Sequence, residues 1–80
     1  MANFTILGMG GFGLSLAVML NNFGHHVTVW SAFKQEIEDI RRDGENKQKL
    51  PGVKISDEII LTDDMDSVSG ADIVIFGIPT

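Results

Sequence analysis

Three glycines at positions 8, 10 and 13 constrain this chain more than any other feature. They lie between a short β-prone apolar run, Phe4 to Leu7, and a stretch in which apolar and small residues recur at helical spacing. Gly11 makes a fourth glycine within six positions. A strand followed by such a loop and then by a helix is a built place for an anion, because the first N–H groups of a helix lack backbone partners and carry partial positive charge.

Two other uses of the run ILGMGGFGLSLAVML are not expected from what surrounds it. A secretory leader needs basic residues ahead of its apolar core, and the first Lys or Arg is Lys34. A membrane span needs roughly 20 apolar residues without such breaks. Eighty residues without cysteine make one small domain at most, with neither a disulfide framework nor a thiolate metal site.

Charge divides the chain in two. Residues 1 to 35 hold one lysine and no acid, whereas the rest holds eleven acids against five bases, for a net charge of −5 overall. An acidic chain without a basic cluster is a poor partner for nucleic acid. Its acid-free N-terminal part suits an anionic ligand instead.

The spacing predicts a helix from Phe12, ended by Gly24, whose Gly13, Leu16, Ala17 and Leu20 face a sheet. Leu14, Val18 and Met19 fall off that stripe, and we expect them to need cover from elsewhere. A second strand follows at Val27–Trp30, then a helix capped by Ser31 with Phe33, Ile37 and Ile40 on one apolar face and a Glu38–Arg42 pair on the other. Asp43 and Gly44 end it. A third strand is expected at Ile59–Leu61, and a helical turn near Met65–Val68 capped by Thr62 or Asp63. A fourth strand falls at Ile73–Phe76, apolar on both faces as in a sheet covered on both sides.

This series is βαβαβ(α)β. It predicts an α/β, Rossmann-like parallel sheet of four strands with right-handed crossovers and strand order 3-2-1-4. The last strand reads as central, so the chain is expected to be the N-terminal half of a doubly wound domain, truncated at Thr80.

Gly8, Gly10 and Gly13 then take distinct roles in holding a dinucleotide: a tight turn, close approach of backbone to the pyrophosphate, and close packing of helix on sheet. Gly11 and Phe12 sit where the loop meets the cofactor, although Phe12 can equally be read as a core aromatic. About 20 residues past the loop, an NAD site places an acid for the ribose hydroxyls. Here Ser31, Ala32, Phe33 and Lys34 stand at that point. A hydroxyl beside an ammonium suits a 2′-phosphate, which favours NADP(H) slightly over NAD(H). Lys34 can also be a plain solvated helix residue. His25 and His26 read as part of the turn into the second strand rather than as metal ligands, since neighbours on a strand point to opposite faces.

Taken together, ILGMGGFG with Leu16–Ala17 three positions on, GHHVTVW, ENKQKLPG and ADIVIFGIPT resemble, in order, landmarks of the bacterial-type NAD(P)-dependent glycerol-3-phosphate dehydrogenases. Two positions depart from that pattern: Ala32, where a basic residue or His is common, and Lys49, where Tyr is common. The resemblance implies reversible hydride transfer between glycerol 3-phosphate and dihydroxyacetone phosphate, for glycerophospholipid precursor synthesis in the cytoplasm. It implies cofactor contacts at Gly11 and Phe12, with Ala32 and Phe33 near the adenosine end. It places the catalytic lysines, and the helical substrate domain, beyond residue 80. The alternatives are a stand-alone NAD(P)-binding module and a fragment of another reductase such as a ketopantoate reductase; a methyltransferase fits less well, for want of an acid after the second strand. The isolated chain is expected to self-associate through its bare fourth strand and the outer residues of its first helix.

Overall fold

A computed structural model describes residues 2–8, 10–47 and 50–76. Met9, Gln48 and Lys49 of the landmarks above, and the end of the last one from Gly77 to Thr80, lie outside the described residues.

The chain runs β1 (Asn3–Leu7), α1 (Gly11–Asn22), β2 (His26–Trp30), α2 (Lys34–Asp43), β3 (Ile60–Thr62), a 3₁₀ segment (Met65–Gly70) and β4 (Ile73–Phe76). The pairings of these four strands are parallel and the order is β3-β2-β1-β4, as the alternation of elements predicted. Ile6 stands level with Val29 and Ile75, and Val29 with Leu61, so these side chains share one face of the sheet. Both helices pack there. Leu14 and Ala17 of α1 and Ile37 and Ile40 of α2 close over the sheet, joined by Ile55 and Ile59 from the approach to β3.

Each helix ends for a local reason. The N–H of Gly24 reaches the carbonyl of Asn21 while its φ of 90° takes the left-handed turn that a side chain resists. Gly44 does the same after α2, with φ 74° and a 2.7 Å bond from its N–H to the carbonyl of Ile40. Bonds among the described residues of the polar stretch that follows tie it together: Glu45 accepts the N–H of Gly52, Asn46 bridges Leu50, and Ile55 donates to the carbonyl of Gly44.

Several local expectations are corrected. Leu14 is 0% exposed and Val18 is partly buried against the core, leaving Met19 as the exposed member of the three. The buried arc of α1 is centred roughly 60° round the helix from the expected stripe, counting about 100° per residue. The reason is that α1 lies chiefly over β2, to one side of the strand that precedes it. Phe33 does not join Ile37 and Ile40; it precedes α2 and is 69% exposed. Arg42 pairs with Asp39 at 3.3 Å and with Asp43 at 3.1 Å rather than with Glu38. Its hydrogen bond to the Asp43 carboxyl holds that group below the usual carboxylate range, but the pair is solvated and adds little to stability. The 3₁₀ segment is opened by Asp64, whose Oδ1 accepts the N–H of Asp66, while Thr62 accepts the N–H of Asp64 one step earlier.

β4 is an outermost strand, as the order 3-2-1-4 and the expectation of a bare fourth strand require. It forms an edge of this sheet, with Ile73, Val74 and Phe76 exposed and only Ile75 packed on the core. Val74 lies level with Thr5, and Thr5 with Thr28, on the face turned away from the helices. An apolar strand sequence permits cover on both sides; within the described residues, helices cover one.

Candidate functional site

Strands β1, β2 and β4 end level with one another, since Leu7 is opposite both Trp30 and Phe76. The chain leaves β1 at this edge, between a connection that crosses toward β2 and one that returns to β4 on the other flank. That is the switch point at which open α/β sheets hold their ligands.

Gly8 makes the turn there. Its φ of 115° is a conformation that L side chains rarely adopt, and its N–H donates to the carbonyl of Trp30 at 2.7 Å, tying the turn to the end of β2. Gly10 occupies the N-cap of α1 in extended backbone, φ −69° and ψ 171°. Its carbonyl accepts the N–H of Leu14 and so starts the helix. No side chain caps this end, and the first turn contains no acid. The N–H groups of Gly11, Phe12 and Gly13 thus begin a helix with neither a capping oxygen nor a first-turn carboxylate to neutralise them. Gly13 is buried where α1 meets the sheet. Phe12 is 70% exposed, which answers the choice left open by its sequence: it is not a core aromatic.

The second cluster lies after β2. Ser31 was expected to cap α2, but Phe33 holds that position and Ser31 Oγ accepts the N–H of Phe33 at 3.1 Å. Ser31 is 4% exposed. Its own N–H donates to the carbonyl of Thr62 at 2.9 Å, a link to β3 that no spacing in the sequence announces. Ala32, Phe33 and Lys34 are exposed. Because β1 and β2 are adjacent and both helices start from the same edge on the same face, the glycine turn and the segment 31–34 flank one another. No acid occupies either cluster.

The histidines take separate roles at the opposite edge. His25 Nδ1 accepts the N–H of Ala2, and its ring meets Phe4 edge-on at 5.0 Å, while the N–H of His26 donates to the carbonyl of Ala2. Among the described residues no three His, Cys, Asp or Glu side chains gather as a metal site, and no helix is long and apolar enough to cross a membrane. A depression of about 400 Å³ runs along α2 and includes none of the glycine-turn residues. In its lining Glu36, Asp39, Asp43 and Glu45 outnumber Arg42 and Lys47, a balance that suits an anion less well than the acid-free start of α1 does.

Residues 3–80 match the family described as the N-terminus of NAD-dependent glycerol-3-phosphate dehydrogenase. Among curated relatives, the chain is 43% identical to glycerol-3-phosphate dehydrogenase [NAD(P)+] 2 of Lactobacillus delbrueckii subsp. bulgaricus and 42% identical to glycerol-3-phosphate dehydrogenase [NAD(P)+] of Bacillus subtilis. Each match covers 100% of this chain and 24% of the relative, so the chain spans about a quarter of their length. Among solved structures, the glycerol-3-phosphate dehydrogenase of Coxiella burnetii superposes with a TM-score of 0.83 at 25% identity, over 94% of this chain and 23% of that one. The DsGPDH of Dunaliella salina superposes with a TM-score of 0.67 at 26% identity, over 94% of this chain and 18% of that one.

Proposed function

The chain belongs to the NAD-dependent glycerol-3-phosphate dehydrogenase N-terminus family, and we propose that it is the dinucleotide-binding part of a longer enzyme interconverting glycerol 3-phosphate and dihydroxyacetone phosphate with NAD(P)(H). The observation that carries this reading is the uncapped, acid-free start of α1 at the switch point of the sheet. The N–H groups of Gly11, Phe12 and Gly13 hold the diphosphate, Gly10 leaves room for it, and Gly8 turns the chain away beneath it. Ala32, Phe33 and Lys34 meet the adenosine end. Bound there, the cofactor supplies or takes up the hydride that converts ketone to secondary alcohol and back. No residue of this chain is given a catalytic role; those groups belong to the longer protein, with the substrate domain. The pathway that such an enzyme serves is glycerophospholipid precursor synthesis, in the cytoplasm.

Between the two cofactors we favour NADP(H). An acid for the ribose diol is absent from positions 31 to 34, and Lys34 stands exposed at the first position of α2.

The test is a steady-state assay of the full-length protein with dihydroxyacetone phosphate and each reduced cofactor. Turnover within the ordinary enzyme range of roughly 1 to 1000 per second is expected. Failure with both cofactors, together with reduction of ketopantoate, would replace this reading by that of the other reductase.

We also propose that residues 1–80 alone self-associate. The exposed Ile73, Val74 and Phe76 of edge strand β4 and the exposed Ile60 of edge strand β3 support this, because unpaired apolar edges recruit further strands. Sedimentation velocity over a concentration series should show mass increasing with concentration. A compact monomer throughout would refute the proposal.

A further inference from the structure

We infer that Ser31 is a positioning residue: it sets where Lys34 stands and thereby governs selection for a 2′-phosphate, without binding the nucleotide itself. The inference rests on the dinucleotide reading above and extends it to a residue whose sequence position suggested direct contact.

Two observations carry it. First, Ser31 is engaged inward: 4% exposed, its N–H is bonded to Thr62 and its Oγ receives the N–H of Phe33. A hydroxyl so placed offers a ligand little surface. Second, no side chain of the segment that follows is packed into the core. Ala32, Phe33, Lys34 and Gln35 are all exposed, and the next buried side chain is Ile37. Ile37 and Ile40 seat the body of α2, and the turn that leads into it is fixed by hydrogen bonds and not by packing of its own side chains. The sequence of bonds runs from the Thr62 carbonyl on β3 to Ser31 and from Ser31 Oγ to Phe33, whose carbonyl then accepts Glu36 and Ile37 to begin α2. Lys34, the first residue of that helix, is held at the end of this sequence. A side-chain oxygen bonding the N–H two residues on is a common means of locking such a turn.

The experiment is a double-mutant cycle in the full-length protein, read by titration with 2′,5′-ADP and with 5′-AMP, which share the adenosine and differ in the 2′-phosphate. Ser31→Ala should weaken 2′,5′-ADP by about two- to tenfold, the effect of one net hydrogen bond, and leave 5′-AMP unchanged. Ser31→Thr keeps the acceptor and should restore the wild-type value. In a Lys34→Ala background the effect of Ser31→Ala should vanish, since the residue acts through Lys34. Equal losses for the two nucleotides would reduce Ser31 to a structural role. An undiminished loss in the Lys34→Ala background would make it a direct ligand, and no loss at all would leave it without a role; each overturns the inference. Should Gly10→Val also leave NADPH binding intact, the dinucleotide reading itself fails, and the inference with it.

Discussion

Gly10→Val is expected to abolish dinucleotide binding while the protein keeps its fold. The backbone at Gly10, φ −69° and ψ 171°, lies in extended territory open to any residue, so valine introduces no backbone strain there. What it introduces is volume, at the point where a diphosphate must approach the first N–H groups of α1. Losing two charge-assisted hydrogen bonds, at about 1.5–3 kcal/mol each, lowers affinity by more than about a hundredfold. Gly8 makes the instructive contrast: its φ of 115° means that a side chain there distorts the turn and confuses folding with binding. The measurement is NADPH titration of the full-length variant beside its circular dichroism melt. Undiminished affinity would remove the glycine turn from the site.

Leu14→Ala should produce the largest loss of stability among single substitutions on α1. The side chain is 0% exposed within the cluster that joins α1 to Ile6 and Val29. Truncating a buried leucine costs about 2–5 kcal/mol, the lost transfer energy plus the cavity that remains. A domain of this size has only about 4–12 kcal/mol in total. Met19→Ala, five residues along on the solvent side of the same helix, should change stability by no more than about 0.5 kcal/mol. Urea unfolding of the two variants separates this structure from the helix orientation that periodicity alone suggested. Equal effects at the two positions would favour the latter.

That pair of residues shows where legibility in the sequence ended. Periodicity located α1, yet it placed the buried arc too close to Leu16 and Leu20, because the stripe of a helix with no charged residue has no polar boundary to fix its angle. In α2 the acids and bases do mark the wet side, and Ile37 and Ile40 are buried as expected. Phe33 was misplaced for a different reason: it lies one residue outside the helix, where helical spacing no longer describes its direction.

Strand order and the glycine turn after β1 followed from the amino-acid sequence by itself. Parallel crossovers have one allowed hand, and closely spaced glycines between a strand and a helix have few uses. Which carbonyl receives the N–H of Ser31 and which way Leu14 points were decided only by the tertiary structure. Each of these depends on residues brought close by folding, Thr62 for Ser31 above all, and a contact made across the sheet leaves no mark on local spacing.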